Sequence, residues 1–139
     1  MIIRAGTPKE VEAIAAAMQY VPSQKVNSVA ILERDTLMAM GLYDHWTYSS
    51  VNVHIWSSSP RWLMHPLFIK EIFRYPFEVC NRKILLAVTP GDNEASLRFS
   101  KVLGFREIFR HKDGWKDGVD MVVKEMHRKE CRWLQKKAA

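Results

Sequence analysis

Hydrophobic and polar positions change period several times along this chain, and each change marks an element. Ile2-Ile3-Arg4 predicts a short strand. Thr7-Pro8-Lys9-Glu10 then combines a capping threonine and a glutamate three residues on with proline at the first helical position, which predicts a helix start. Val11, Ile14, Ala15 and Met18 recur at helical spacing, and Pro22 ends the segment. Tyr20 to Asn27 is polar and irregular, either a loop or a short second helix at a substrate mouth.

Val29-Ala30-Ile31-Leu32-Glu33 and Leu37 to Tyr43, separated by Arg34-Asp35-Thr36, predict a hairpin. Val51 to Trp56 alternates, with Val51, Val53 and Ile55 on one face and Asn52, His54 and Trp56 on the other. One face suits a core and the other a site. Ser57-Ser58-Ser59-Pro60 breaks the strand, and Leu63, Leu67, Phe68, Ile72 and Phe73 predict a buried helix that Pro76 stops or kinks near Tyr75. Asn81-Arg82 turns the chain into Ile84 to Val88, a strand without alternation that predicts cover on both faces.

Next comes a helix bounded at both ends. Asp92 or Asn93 can cap the free amides of its first turn, and Gly104 can take the left-handed conformation that ends it. Leu97, Phe99, Val102 and Leu103 supply its apolar side chains, with Glu94, Arg98 and Lys101 facing water. A strand around Phe105 to Arg110, a turn at Lys112-Asp113-Gly114 and a last strand around Asp120 to Met126 complete the pattern. No internal repeat interrupts it.

Composition bounds the function classes. With 139 residues, 47% of them hydrophobic, one core is expected: a single domain over 1–126 followed by a basic extension over 127–139. No apolar run approaches the roughly 18 residues of a membrane span, and the N-terminus lacks a secretory pattern, so a cytoplasmic protein without a membrane partner is expected. Cys80 and Cys131 stand apart from any CxxC pair or histidine cluster, which argues against zinc or a disulfide framework. The net charge of +6 suits an anionic cofactor, an acidic partner or nucleic acid, or simply a solvated tail. Nothing like a helix-turn-helix, zinc finger or RNA-binding aromatic signature accompanies it, so a nucleic-acid-binding domain rests on charge alone.

The segment Asn93 to Phe105, read as N-x-x-S-x-x-x-x-x-x-L-G-F after a buried strand, resembles the coenzyme A-proximal motif of the Gcn5-related N-acetyltransferases (GNAT). The element order over residues 1–126 is also that of this family. The resemblance implies an α/β (α+β) fold, a mixed and mostly antiparallel sheet of about seven strands with helices on both faces. It implies, too, that the central strands splay between the fourth, Val51 to Trp56, and the fifth, Ile84 to Val88, where the thioester arm of acetyl-CoA lies. The terminal Glu130-Cys131-Arg132-Trp133-Leu134 resembles phage- and prophage-encoded members.

The same resemblance assigns residues. The family's phosphate cradle, Q/R-x-x-G-x-G/A, matches Arg61-Trp62-Leu63-Met64-His65-Pro66, which keeps the arginine but replaces both glycine positions. Met64 adds bulk there and Pro66 removes an amide proton. Asn93 is the first expected cofactor contact, with Ser96 beside it; a plain helix cap predicts the same asparagine. Ser100 stands where many members carry a tyrosine that protonates the leaving thiolate, and a serine hydroxyl is a weaker acid. His54 is the candidate base, with Glu33 and a water relay as alternatives. A backbone amide near Ile55 or Trp56 is the expected oxyanion donor, and Trp56 and Trp62 would wall the acyl group or serve the core.

Three readings follow. The first is acetyl transfer from acetyl-CoA directly to a primary amine of a small molecule or protein. The second is a catalytically inactive member acting as a binding or virion-associated module, argued from the altered cradle and missing tyrosine. The third is the basic nucleic-acid-binding domain. Trp133 and Leu134 would pack either on their own domain or on a second copy in a homodimer.

Overall fold

The structure, a computed structural model, describes residues 1–23 and 25–134. Its strands are β1 (Ile2–Arg4), β2 (Asn27–Glu33), β3 (Thr36–Asp44), β4 (Ser50–Ser57), β5 (Ile84–Pro90), β6 (Arg106–Lys116) and β7 (Val119–His127). They form one sheet in the order β1-β2-β3-β4-β5-β7-β6, in which β4 and β5 run parallel and the other neighbours antiparallel. The helices are α1 (Pro8–Ala17), α2 (Pro60–Leu63), α3 (Pro66–Arg74) and α4 (Glu94–Leu103). Among the described residues, no helix is long and apolar enough to cross a membrane.

Local chemistry explains the boundaries. Thr7 Oγ accepts from the Glu10 N–H at 3.2 Å while Glu10 Oε1 accepts from the Thr7 N–H at 2.8 Å, the reciprocal cap that starts α1. Arg4 donates to the same carboxylate at 2.8 Å; its hydrogen bond, helped by the Thr7 amide, holds Glu10 at about 2. Asn93 Oδ1 caps α4 by accepting from the Ser96 N–H at 3.1 Å, and Gly104, at φ 112°, ends it in the left-handed region.

Each sheet face has its own cover. On one, Val29, Ile31, Ala39, Tyr43, Val51, Val53, Leu85 and Met126 pack against Phe68, Ile72 and Phe73 of α3 and Leu103 of α4. Burying side chains of this size contributes about 1.5–3 kcal/mol each. The approach of α3 is close: a Cβ on Gly41 would stand 2.3 Å from Ile72 Cδ1, and the Tyr43 hydroxyl donates to the Ile72 carbonyl at 2.7 Å. On the other face α1 sets Ile14 and Ala15 over Ala30, Leu32, Met40 and Leu42.

Several expectations are corrected. The predicted single helix from Leu63 to Phe73 is two, because His65 precedes a proline and takes an extended conformation at φ −65°, ψ 125°. At Pro76 the chain widens into a π turn over Tyr75–Val79, closed by the Cys80 N–H donating to the Tyr75 carbonyl at 2.9 Å. β5 alternates after all: Leu85, Ala87 and Thr89 are buried while Ile84, Leu86 and Val88 are half-buried, since the apolar layer beneath α1 stops at β4. The last hairpin turns at Asp117-Gly118, not at Lys112-Asp113-Gly114. Asp113, at φ 56°, instead forms an irregularity within β6 and accepts from the Gly118 N–H at 3.0 Å. On α4 the buried residues are Ser100 and Leu103, and Val102 is exposed. Residues 21–23, 25 and 26, in the segment left open between loop and helix, carry no helix.

Candidate active site

Strands β4 and β5 pair only from Ser50 to Asn52 against Ile84 to Leu86, and beyond that they part. The parting exposes backbone. Ser58 N–H donates to the Met38 carbonyl on β3, whereas Ser49 C=O accepts from Ile84 N–H on the β5 side. Alternation along an antiparallel strand therefore turns the backbone groups of Val53 and Ile55 toward β5; the Asn52–Leu86 pairing takes up the Val53 N–H, and past it the Val53 carbonyl and both groups of Ile55 meet no strand partner among the described residues. Gly91 N–H donates to Asp120 on the β7 side, so Val88 of β5 faces the same gap from across it. Around the gap is a cleft of about 490 Å³, lined from both sheet faces.

His54 and Tyr20 belong to the α1 side of this cleft. The Tyr20 ring stacks on the His54 imidazole with centroids 3.9 Å apart, and Nε2 lies 3.1 Å from Oδ1 of fully buried Asp44. Burial pushes the Asp44 carboxyl up, but the His54 and Ser23 hydrogen bonds, with the neighbouring histidine charges, bring it below its ordinary value. An ionised carboxylate only accepts, so Nε2 carries the hydrogen of this bond, and in the neutral ring the lone pair is on Nδ1. Tyr20 Oη is buried without a hydrogen-bond partner among the described residues, and burial, then the Asp44 charge, raises its phenol.

Ser100 and Lys124 belong to the opposite, α4 side. Lys124 Nζ donates to Ser100 Oγ at 2.6 Å, and the Ser100 hydroxyl donates to the Leu97 carbonyl at 3.0 Å. Lys124 is only 4% exposed, and burial drives its ammonium down to about 8 against the opposing pull of Glu107.

The other sequence candidates divide between cleft and surroundings. Ile55, Trp56, Leu63, Asn93 and Ser96 line the cleft with His54 and Ser100. Glu33, Arg61, Trp62, Met64 and His65 lie outside its lining. Arg61 sits over the Trp62 ring at 4.9 Å and 3.9 Å from Glu33; Trp62 is buried in the core, and Met64 is exposed. His65 Nδ1 accepts from the Leu67 N–H at 3.3 Å. The start of α3 is thus largely occupied by its own chain: Pro66 has no N–H, the Leu67 amide is capped, and the Ile69 amide bonds the His65 carbonyl, which leaves the Phe68 amide of the first turn.

Asp44, Tyr20 and Lys124 escaped the sequence reading. Lys124 had a signal, since it falls on the inward side of β7 between Val122 and Met126. Asp44 shares the even-numbered face of β3 with Met40 and Leu42, but at a strand end the sequence does not separate it from a turn residue. Tyr20 reaches His54 only through the chain's path after α1.

No protein-family model matches the sequence, and no curated protein matches it. Solved structures do match the fold. Mutant forms of the spermidine/spermine N-acetyltransferase SpeG from Vibrio cholerae superpose with a TM-score of 0.74 at 11% identity, over 92% of this chain and 95% of that one. An acetyltransferase attributed to the GNAT family from Desulfovibrio desulfuricans gives 0.64 at 17% identity, over 87% and 82%. The Campylobacter jejuni N-acetyltransferase PseH, in complex with acetyl coenzyme A, gives 0.59 at 13% identity, over 86% and 78%. With the sheet order and the β4–β5 splay, these likenesses give the chain the fold of the Gcn5-related N-acetyltransferases.

Proposed function

We propose that this protein is an N-acetyltransferase that moves an acetyl group from acetyl-CoA directly to a primary amine. The observation that carries the reading is the gap between β4 and β5, where the Val53 carbonyl and both backbone groups of Ile55 stand open beside His54. An amide-bearing pantetheine arm is an extended chain and can pair with such an edge as a strand would. The donor thus fits the gap. Its pyrophosphate does not fit the start of α3, where Pro66 and the His65 cap leave little backbone to donate. Val53, Ile55 and Val88 would hold the arm, with Asn93 and Ser96 in the same lining, and Arg61, the arginine kept from the cradle pattern, would serve its charged end from outside that lining.

When bound, acetyl-CoA supplies an activated acetyl group. The protein's residues do the rest. His54, oriented by Asp44 through Nε2 and by the Tyr20 ring, offers Nδ1 to take the proton of the attacking amine. The Ile55 N–H, turned into the gap, is the donor that stabilises developing negative charge on the carbonyl oxygen. Ser100 lines the cleft from the other sheet face, where its hydroxyl would serve the departing sulfur. Residues 1–126 carry this machinery, and after them Trp133 packs on Phe73 of α3 and donates to the Leu103 carbonyl of α4.

Some SpeG relatives are named for polyamines, but the lining argues for a different amine here. Met18, Tyr20 and Trp56 dominate the α1 side, and Asp92 at the rim is the carboxylate of the lining. One charge on a largely apolar body suits that wall better than a polycation does. Thiol release from acetyl-CoA with phenethylamine, spermidine and a short peptide amine tests this. Turnover is expected with phenethylamine and should fall about 100-fold or more in His54→Gln. Failure of folded protein to acetylate any of the three would contradict the proposal.

A further inference from the structure

The Lys124–Ser100 pair lies across the cleft from His54 and has no part in the conformation of any turn or cap. We infer that Lys124 is the proton source for the departing thiolate, delivering through the Ser100 hydroxyl; this rests on the acetyl-transfer reading above.

The argument begins with a cost. Burying an ammonium without a carboxylate partner is unfavourable, and Met or Leu would fill an inward position of β7 without that cost. Among the described residues Lys124 forms no salt bridge, and its side-chain hydrogen bond is the one to Ser100 Oγ at 2.6 Å. The groups facing it are otherwise quiet. Ala87 is its neighbour on β5, Ser100 faces it from α4, and Glu107 across β6 is engaged by Arg110 at 3.0 Å. A lone buried ammonium has been brought to a hydroxyl on the cleft wall.

Position completes the argument. His54 and Lys124 line one cleft from opposite sheet faces, so a carbonyl carbon held in the gap has a proton acceptor on one side and a proton donor on the other. In the transfer the lone pair of the neutral amine forms the new N–C bond, and the C–S bond breaks with its electron pair on sulfur. The Ser100 hydroxyl, giving up its bond to the Leu97 carbonyl, passes its proton to sulfur as Lys124 Nζ replaces it, and the amine proton passes to His54 Nδ1. Solvent then returns a proton from His54 to Lys124, with no net change in charge. Ser100 alone is a weak acid. With the ammonium behind it, the pair is a competent one, and burial, which brings Lys124 to about 8, keeps it protonated at neutral pH yet ready to give.

The test varies the leaving group. Lys124→Met and Ser100→Ala are compared on acetyl-CoA, an alkyl thioester, and on S-phenyl thioacetate, whose thiolate departs without a proton, with phenethylamine as acceptor. We expect turnover of acetyl-CoA to fall about 100-fold in both variants and turnover of the aryl thioester by less than about fivefold. Equal losses on the two donors would overturn the inference. A second readout needs no turnover: the thiolate absorbance of bound coenzyme A, titrated with pH. In the native protein the thiol should ionise at least about one unit below the free thiol, and in Lys124→Met this shift should vanish. An unshifted thiol in the native protein would overturn the inference even if Lys124→Met did not fold. If the native protein acetylates no amine while the thiol shift is present, the acetyl-transfer reading fails, and with it the catalytic role of Lys124, although Lys124 still acts on a bound coenzyme A thiol; acetylation with no thiol shift overturns the Lys124 inference alone.

Discussion

His54 Nε2 stands 3.1 Å from Asp44 Oδ1 although the two are not cross-strand partners: Asp44 lies opposite Asn52, and His54 opposite Leu42. The bond is diagonal on one sheet face, and it fixes the imidazole from the strand end. Asp44→Asn keeps the shape but removes the charged acceptor and permits the wrong ring tautomer. Activity should drop about 100-fold or more, with the fold retained by circular dichroism. Unchanged turnover would separate His54 from the chemistry.

Asp44 and Lys124 make opposite contributions to acid and alkaline stability. The folded Asp44 carboxyl lies below its ordinary value, so the stability it adds is full above the ordinary carboxylate range and is lost as pH falls through the folded value. The folded Lys124 ammonium is lowered to about 8, so the folded state binds its proton less tightly than the unfolded chain does. The resulting penalty is full below about 8 and is relieved as pH rises toward the ordinary lysine value. Lys124→Met should therefore melt higher than the native protein at pH 7, by several degrees, with the gap narrowing by pH 10. Melting curves across pH check this, and a constant gap would contradict it.

The occupied start of α3 has consequences for donor choice. With Pro66 lacking an N–H and Leu67 capped by His65, the nucleotide end of coenzyme A gains little there. Acetyl-pantetheine should be used with a kcat/KM within about tenfold of acetyl-CoA, a difference of about 1.4 kcal/mol. A loss of several hundredfold would locate a phosphate site elsewhere on the chain.

The C-terminal segment adds stability. Trp133 lies parallel to Phe73 at 6.4 Å between centroids, and its indole N–H donates to the Leu103 carbonyl at 2.8 Å, near the end of α4. Trp133→Ala should cost about 2–3 kcal/mol in chemical unfolding. A change under about 0.5 kcal/mol would show that the segment does not dock in solution.

Much of the fold was legible because its signals are local. The Thr7–Glu10 box, the Asn93 and Gly104 caps and the alternation of β4 each depend on residues a few positions apart. The break at Met64-His65 was equally local, written in Pro66, but the apolar spacing from Leu63 to Phe73 masked it. The Asp113-Gly114 pair misled for a related reason: its turn chemistry serves an irregularity inside β6. Part of the candidate cleft was legible too, since His54, Ile55, Asn93 and Ser100 sit on elements whose faces or ends the pattern defines. The remainder depends on where elements meet. Asp44 reaches His54 across two strands, Tyr20 arrives from the end of α1, and Lys124 meets Ser100 between β7 and α4. No sequence spacing encodes those meetings, although a lysine between Val122 and Met126 is a warning that a strand has turned a charge inward.

The central claim is that the gap between β4 and β5 receives an acyl-pantetheine thioester. Thermal unfolding in the presence of acetyl-CoA tests it most directly, because a ligand that binds only the folded chain stabilises it by mass action. At a ligand concentration about one hundred times Kd the gain is about 2.7 kcal/mol, a rise of several degrees in Tm. We predict that rise with acetyl-CoA and with acetyl-pantetheine alike; no shift with either at millimolar concentration would contradict the account.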